Sequence, residues 1–447
     1  MPFNSLGLSA PLRRAVAAAG YAEPTPIQAK IIPTVLAGKD AIGAAQTGTG
    51  KTAAFALPIL ERLITVPRSF EFRTPRKARP MERSQRRAGL LRNAAPAPEA
   101  FSGTRVLVLA PTRELAAQVE TSFRDLGRFT DVRTLAIYGG VGFQLQLDTL
   151  AVGVDVIVAT PGRLLDLMDR RAVSLSNVEV LVLDEADRML DMGFIPDLRR
   201  IVRTLPTRRQ TLLFSATVPP EIDELAQEVL IDPVTVAVGK RSAPVAGVTQ
   251  LVYPVAHTQK LDLLAHVLAH QTDLDSVLIF TRTKHGADKL AGKLAREGYV
   301  TGRLHSNRTQ SQRESALSAF RAGRLQVLVA TDIAARGLDI ENISHVINYD
   351  VPTHPEDYVH RIGRTARAAA VGTAITLMTS DEEKYLRLIE RFISGTVPRV
   401  RVEGFPYHEA PSFDSAPSQR LRSASANGHP AARRQRYSRR GRRPWAN

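Results

Sequence analysis

Residues 180–187 read VLVLDEAD, an apolar run followed at once by an acidic one. Four apolar residues predict a buried strand, and three acidic residues with one alanine follow it at once. In a parallel sheet, such a strand places the carboxylates of Asp184 and Glu185 at the carboxyl edge, where ligands of open α/β sheets bind. Acidic residues that merely cap the next helix are the alternative, which is common for one carboxylate and rare for this pattern.

Other short apolar runs alternate with helical patterns, which is typical of parallel sheets wrapped by helices. One set of runs lies at 105–110, 155–160, 180–183 and 211–215, and a second set lies at 277–280, 326–331, 345–349 and 373–378. The sequence therefore predicts an α/β fold with domains at 1–238 and 248–396. The charged stretch at 239–247, which contains proline and glycine, is the predicted linker.

The composition excludes several classes of protein. Of the 447 residues, 44% are hydrophobic and 23% are charged, which is enough apolar content to bury large cores and argues against wholesale disorder. The absence of cysteine excludes disulfides, thiolate metal sites and cysteine nucleophiles. No run approaches eighteen apolar residues and no leader pattern is visible, so we predict a cytoplasmic protein without a membrane partner.

The net charge of +16 is concentrated in two appendages. Residues 66–100 carry nine Lys or Arg against three Glu, and residues 412–447 carry nine Arg against one Asp. We interpret 66–100 as a basic insertion in the first domain and 397–447 as a basic, mostly disordered tail. The attraction for a polyanion is therefore expected in these appendages rather than in the nearly neutral folded body.

Residues 45–52, AQTGTGKT, have the ending of a phosphate loop. Backbone N–H groups of a glycine-rich turn and of the next helix surround phosphate oxygens, Lys51 reaches the outer phosphates, and the Thr52 hydroxyl ligates Mg²⁺. Ala45 replaces the usual first glycine, so an ordinary turn with an exposed lysine is the alternative for this motif alone. Beside such a loop, Asp184 suits hydrated Mg²⁺ and Glu185 suits the general base.

A phosphate loop together with Asp-Glu-Ala-Asp resembles the DEAD-box RNA helicases, and residues 181–200 and 280–291 resemble the bacterial RhlE-like group more narrowly. The resemblance covers about residues 1–395. It implies two RecA-like domains that use ATP and Mg²⁺, bind RNA without strong sequence preference, and unwind short duplexes or remodel RNA–protein complexes. It also implies a monomer serving ribosome assembly, RNA decay or cold adaptation, with ribosomal precursors or RNA-decay proteins as possible partners.

The resemblance assigns site residues by motif. The nucleotide set is Phe3, Tyr21, Thr25, Gln28, Ala45, Gln46, Thr47, Gly48, Thr49, Gly50, Lys51, Thr52 and Asp339. The catalytic set is Lys51, Asp184, Glu185, His360, Arg364 and Arg367, with Thr52 and Asp184 holding Mg²⁺ largely through water. A carboxamide such as that of Gln28 can hydrogen-bond the N6 and N7 edge of adenine, and an aromatic face can stack on the ring. Arg364 and Arg367 would act as arginine fingers across the domain cleft.

The resemblance also assigns residues that contact RNA and residues that couple hydrolysis to strand separation. The RNA set is Pro111, Thr112, Arg113, Gly140, Thr160, Gly162, Arg163, Thr283, Arg313 and Thr331. The coupling set is Asp187, Ser215 and Thr217. Each short RNA motif taken alone could equally be a helix cap. Ser306 and Ala366 depart from glycines that are common in the family.

Two other functions remain open from the residues. A DNA translocase of the same superfamily shares the phosphate loop, and stimulation of the ATPase by RNA or by DNA separates it from an RNA helicase. A non-catalytic RNA clamp would keep the basic appendages and lose catalytic groups. Lys51, Glu185, Arg364 and Arg367 are all present, which disfavours the clamp.

Overall fold

The computed structural model describes residues 2–45, 49–66, 103–237, 247–270, 274–335, 343–365 and 372–408. The first domain contains a seven-stranded sheet with strand order β3-β4-β2-β5-β6-β1-β7, in which every pairing is parallel. Its strands are β1 Ala41–Ala44, β2 Val106–Leu109, β3 Thr134–Ile137, β4 Val156–Ala159, β5 Val180–Leu183, β6 Gln210–Ser215 and β7 Val234–Ala237.

Helices cover both faces of the first sheet. They are α1 Ala10–Ala18, α2 Pro26–Leu36, α3 Lys51–Thr65, α4 Arg113–Leu126, α5 Phe143–Val152, α6 Pro161–Asp169, α7 Ala186–Asp191, α8 Ile195–Val202 and α9 Pro220–Val229. The inner strands β2, β4 and β5 are apolar throughout because successive side chains face opposite sides and both sides are covered. One core contains Phe55, whose ring lies 5.1 Å from that of Phe214. The other contains Leu107, Leu181 and their neighbours.

The second domain repeats this plan with six parallel strands in the order β10-β11-β9-β12-β13-β8. Its strands are β8 Val248–Pro254, β9 Val277–Phe280, β10 Thr301–Leu304, β11 Val327–Ala330, β12 His345–Asn348 and β13 Gly372–Met378. Its helices are α10 Lys260–His270, α11 Lys284–Arg296, α12 Gln310–Arg321, α13 Asp332–Ala335, α14 Pro355–Ile362 and α15 Glu383–Phe392. The predicted fold class, two parallel sheets wrapped by helices, is confirmed.

Residues 397–408, which follow the predicted boundary at residue 396, contact the second domain. The Val400 N–H donates to the Val252 carbonyl oxygen at 2.9 Å, and Phe405 and Tyr407 pack on the core beneath β8. Residues 397–408 therefore belong to this domain because they extend the pairing at its edge strand and cover apolar surface. Apart from Val66, Gly247 and 397–408, the predicted insertion, linker and tail lie outside the described residues.

Within the described ranges, no helix has both the length and the apolar character needed to cross a bilayer.

Candidate active site and nucleic-acid interface

The phosphate loop joins β1 to α3. Gly50, directly before the helix, has φ of 86°, a left-handed conformation that glycine adopts without steric cost. Lys51 begins α3, is buried, and donates from Nζ to the Ala45 carbonyl oxygen at 2.9 Å. Of the other predicted members, Thr49 and Thr52 are described, whereas Gln46, Thr47 and Gly48 lie outside the described residues. The lysine is therefore held at the mouth of the loop.

Asp184 follows β5 at the carboxyl edge of the sheet and is only 3% exposed. Its Oδ1 accepts a hydrogen bond from the Glu185 N–H at 3.0 Å. Burial raises the pKa of the Asp184 carboxyl from 3.8 to about 7, with Glu185 and Asp187 acting in the same direction and Lys51 opposing them. A cation placed here would favour the ionised carboxylate.

Glu185 has φ of 51°, which is uncommon for a residue with a side chain. Its Oε2 lies 3.3 Å from Nη1 of Arg188, and both side chains are largely buried. Sequence analysis did not identify Arg188, although it directly follows the Asp-Glu-Ala-Asp stretch. The arginine holds the glutamate at the wall of the cleft described below.

Asp187 connects α7 to the loop after β6. Its Oδ2 accepts hydrogen bonds from the Ala216 N–H, the Thr217 N–H and the Thr217 hydroxyl at 3.1, 2.8 and 3.0 Å. The Asp187 N–H donates to the Ser215 hydroxyl at 3.2 Å. The structure thus joins the three residues that sequence analysis assigned to coupling.

Gln28, in the first turn of α2, is 2% exposed. Its Oε1 accepts from the Thr25 N–H at 2.9 Å, and its Nε2 donates to the Gly50 carbonyl oxygen at 3.1 Å. The side chain therefore ties the upstream motif to the phosphate loop, a contact that sequence analysis did not predict. Each carboxamide atom retains capacity for one more hydrogen bond, so the predicted adenine contact is compatible with this geometry.

The two predicted aromatic residues differ in exposure. Phe3 is buried in the first-domain core, and its ring stacks on that of Tyr21 with the centroids 6.3 Å apart. Tyr21 is 43% exposed. The outer ring of the pair is thus Tyr21, while Phe3 supports it from within.

A cleft of about 810 Å³ lies between the two domains and is lined by four of the six predicted catalytic residues, whereas Asp184 is not among its described lining residues. Lys51 and Glu185 line it from the first domain, and His360 and Arg364 line it from the second. The Arg364 Nε donates to the His360 carbonyl oxygen at 3.3 Å. Arg367 and Asp339 lie outside the described residues.

A second cleft, of about 460 Å³, contains most of the predicted RNA contacts. Those from the first domain are Pro111, Thr112, Arg113, Thr160, Gly162 and Arg163. Arg313 and Ser306 line the same cleft from the second domain. Segments that follow separate strands of the first domain thus meet helix α12 of the second domain at one surface.

Gly140 lies against Arg113 in this region. It has φ of 85°, and a Cβ atom at this position would lie 2.4 Å from Nη1 of Arg113. The flexible arginine tip could move away from such an atom, so it is the left-handed backbone conformation that favours glycine here.

Glu114 crosses from the first domain to the second. Its Oε2 lies 3.0 Å from Nη2 of Arg313, and its Oε1 accepts from Nε2 of Gln310 at 3.2 Å. Sequence analysis missed Glu114 because a glutamate in the first turn of a helix is also an ordinary N-terminal residue. The contact places Arg313 between the predicted RNA surface and a buried carboxylate.

Thr283 and Thr331 do not join this cleft. The Thr283 hydroxyl accepts from the Gly286 N–H at 3.0 Å and caps α11, whereas Thr331 directly follows β11. Neither is among the described residues that line the cleft. Their predicted RNA contacts remain predictions.

Comparison with protein families identifies both domains. The DEAD/DEAH box helicase family matches residues 25–225, and the family named helicase conserved C-terminal domain matches residues 259–369. The chain is 40% identical over 399 residues to a protein of Bacillus subtilis (strain 168) named DEAD-box ATP-dependent RNA helicase CshA, covering 89% of this chain and 74% of that protein. It is 42% identical over 403 residues to DEAD-box ATP-dependent RNA helicase 40 of Oryza sativa subsp. japonica, covering 89% of this chain but spanning only about half, 47%, of that protein.

Solved structures agree with this assignment. Dbp5 of S. cerevisiae bound to RNA and ADP BeF3 has 32% sequence identity and a TM-score of 0.75, covering 90% of this chain and 95% of that one. Mss116p bound to ssRNA and AMP-PNP has 25% identity and a TM-score of 0.76, covering 90% of this chain and 80% of that one. The narrower RhlE-like assignment stays a prediction. With both sequence families, 40% identity to a relative matched over 74% of its length, and the same two-domain fold, the chain belongs to the DEAD-box ATP-dependent RNA helicases.

Proposed function

We propose that this RNA-dependent ATPase completes its catalytic site only when the two domains meet, so that hydrolysis is tied to RNA held across both. The supporting observation is the 810 Å³ cleft, which brings Lys51 and Glu185 of one domain opposite His360 and Arg364 of the other. Charge that develops on the outer phosphate during hydrolysis would meet the arginine only in this closed arrangement.

The residues of the cleft divide the chemistry between them. The Lys51 ammonium would leave the Ala45 carbonyl oxygen and bind phosphate oxygens instead. A hydrogen bond to an anion is stronger than one to a neutral carbonyl. Glu185 would accept the proton of the attacking water, and Arg188 would hold its carboxylate in place. Arg364 would stabilise the transferring phosphoryl group, and we propose that Arg367 assists it.

The donor atoms fit Mg²⁺. Asp184 presents a buried carboxylate beside two other acidic side chains, and the Thr52 hydroxyl lies at the start of the same phosphate-binding helix. Oxygen donors of this kind suit a hard cation that keeps part of its water shell. When bound, the ion would neutralise charge on the outer phosphates.

RNA is expected to bind through its backbone. Arg113, Arg163 and Arg313 line one cleft together with the threonines that begin α4 and α6. Such groups contact phosphates and sugars and carry no base information, which supports binding without strong sequence preference. Dbp5 and Mss116p have been solved with bound RNA, and the fold that they share with this chain supports the same placement.

A closed form that holds a single strand across both domains would bend and open short duplexes, or displace proteins from RNA. The Asp187 hydrogen bonds to Ala216 and Thr217 offer a connection between the nucleotide cleft and the rest of the domain. We further propose a cytoplasmic monomer that acts in ribosome assembly, RNA decay or cold adaptation, with ribosomal precursors or RNA-decay proteins as partners.

The substitution Arg364→Ala tests the shared site. We expect RNA-stimulated hydrolysis to fall by about 10³ to 10⁵-fold, with binding of a fluorescent ATP analogue within about tenfold of the parent. Arg387→Ala is the matched control because Arg387 is an exposed arginine of the same domain, paired with Glu383 at 3.0 Å. Near-parental stimulated turnover in Arg364→Ala would refute the shared site.

Glu185→Gln is expected to behave differently. The arginines remain while the water is not activated, so a complex with ATP and RNA should persist instead of turning over. Stimulation by single-stranded DNA as strong as by RNA would favour a DNA translocase instead, and intact RNA binding with no ATPase in the parent protein would favour the clamp.

A further inference from the structure

Gln146, on α5, is a buried glutamine that sequence analysis did not single out. It is 3% exposed, and both ends of its carboxamide are used. Nε2 donates to the Tyr138 carbonyl oxygen at 3.0 Å, and Oε1 accepts from Nε of Arg163 at 3.1 Å. One side chain therefore joins the loop at Gly139 and Gly140 to the arginine of the Thr160–Arg163 motif.

The Arg163 guanidinium is held from three directions. In addition to the Gln146 hydrogen bond, Nη1 of Arg163 donates to Oδ2 of Asp166 at 3.3 Å. The Cζ atom of Arg163 lies 4.7 Å from the centroid of the Phe143 ring. Its side chain is 17% exposed, and it lines the second cleft. Because these contacts involve different atoms and faces of the group, they restrict its orientation before any ligand arrives.

The loop at the other end of Gln146 contacts a second arginine. The Tyr138 carbonyl directly precedes Gly139, and Arg113 packs so closely on Gly140 that a Cβ atom there would lie 2.4 Å from its Nη1. Anchoring the start of this loop through Gln146 fixes its distance from Arg163.

We propose that Gln146 is a positioning residue for RNA, which holds Arg163 and the Gly139–Gly140 loop at a fixed spacing so that both meet the backbone of one strand. A group ordered before binding loses less conformational entropy when it contacts phosphate. The inference rests on the proposed RNA contact of Arg163. If Gln146 served only the fold, its removal would lower stability and leave RNA affinity unchanged.

The test compares Gln146→Met with Gln144→Met in the full chain. Methionine keeps the length and removes both hydrogen bonds. Gln144 lies on the same helix but is exposed and pairs with Asp148 at 2.8 Å, so it is a matched control. The measurements are binding of a fluorescein-labelled single-stranded oligouridylate with an ATP analogue, and RNA-stimulated ATPase as a function of RNA concentration.

We expect Gln146→Met to raise the half-saturating RNA concentration about tenfold, with turnover at saturating RNA and the KM for ATP unchanged. The slope of log affinity against log salt should flatten by about 0.7 if one phosphate contact is lost. Gln144→Met should match the parent in every measurement. An unchanged RNA affinity and salt slope in Gln146→Met would overturn the inference.

A double-mutant cycle separates the inference from the proposed function. In an Arg163→Ala background, Gln146→Met should add less than about twofold to the RNA defect, because the group it positions is gone. An equal shift in both backgrounds would overturn the positioning role. Unchanged RNA affinity in Arg163→Ala would overturn the RNA contact itself, whereas a weakened Arg163→Ala beside an unaffected Gln146→Met would overturn the inference alone.

Discussion

At the residue scale, the buried carboxyl of Asp184 links the active site to stability. Its pKa is raised to about 7 by burial, whereas the same group in the unfolded chain titrates near 3.8. Between about pH 4 and pH 7 the folded protein therefore keeps a proton that the unfolded chain has lost. The contribution of this group to stability falls as pH rises through that window. Above pH 7 the carboxylate is ionised in the folded protein as well, and the full free-energy cost of burying its charge is present.

Asp184→Asn should remove this cost while abolishing ATPase activity. We expect the free energy of unfolding at pH 8 to rise by about 1 to 4 kcal/mol relative to the parent, with the difference shrinking toward pH 4. Asparagine retains an oxygen that can accept from the Glu185 N–H. Urea denaturation without nucleotide or magnesium, repeated across this pH range, is the measurement; a difference that does not depend on pH would contradict the assignment.

We predict that Gln28 sets nucleotide preference through an orientation that the protein itself holds. Because its carboxamide is fixed by Thr25 and Gly50, it would present one donor and one acceptor to adenine and mismatch guanine. An unpaired buried polar group costs about 1 to 3 kcal/mol, so ATP should be preferred over GTP by roughly tenfold or more in kcat/KM. Gln28→Ala should lose this preference, and equal efficiency with both nucleotides in the parent would refute it.

At the element scale, residues 397–408 act as an extra edge of the second sheet. The Val252 N–H donates to the Pro398 carbonyl oxygen and the Val400 N–H donates to the Val252 carbonyl oxygen, both at 2.9 Å. The Phe405 and Tyr407 rings lie 4.8 Å apart on the core of the domain. These contacts protect β8, which would otherwise have an unpaired side.

Ending the chain after residue 408 should therefore leave stability unchanged, whereas ending it after residue 396 should lower the free energy of unfolding of the second domain by about 2 to 4 kcal/mol, mainly through the two aromatic side chains. Thermal denaturation of the two truncated proteins, compared with the full chain, makes the measurement. Equal midpoints for both truncations would show that the segment does not stabilise the domain.

At the scale of the whole molecule, the Glu114 contact with Arg313 and Gln310 spans the two domains beside the second cleft. Both charged side chains are nearly buried, at 5% and 10% exposure. Removing one partner of a buried pair leaves an uncompensated charge and typically costs about 3 to 5 kcal/mol. Removal of one partner would therefore destabilise the closed arrangement, because the remaining charge is exposed to water only when the domains separate.

Arg313→Ala should therefore shift the molecule toward separated domains and raise the RNA concentration needed for ATPase stimulation. Because the chain contains no cysteine, Ala18→Cys and Ala295→Cys would allow specific dye labelling of each domain, and energy transfer between them reports closure. Glu114→Ala combined with Arg313→Ala should recover part of the closure. Unchanged transfer with RNA and an ATP analogue in Arg313→Ala would contradict this role.

The sequence by itself determined the parts of this protein that depend on neighbours along the chain. The apolar runs before Asp184 and before Thr160 form strands β5 and β4, and each is followed directly by predicted site residues. The phosphate loop precedes a helix, as its sequence predicted. These features could be predicted because strand periodicity and loop chemistry are local properties. The family resemblance then supplied the remaining site residues, including Arg364.

Contacts between side chains that are distant in the sequence depend on the tertiary structure. The Gln310 and Glu114 side chains that join the domains are 196 residues apart, and Gln28 and Gly50 are 22 apart. No local pattern marks a buried glutamine such as Gln146 as a hydrogen-bond partner of Arg163, or the segment 397–408 as an added sheet edge. Those contacts depend on how two sheets and their helices pack, because a hydrogen bond forms only where packing brings donor and acceptor within reach and excludes water.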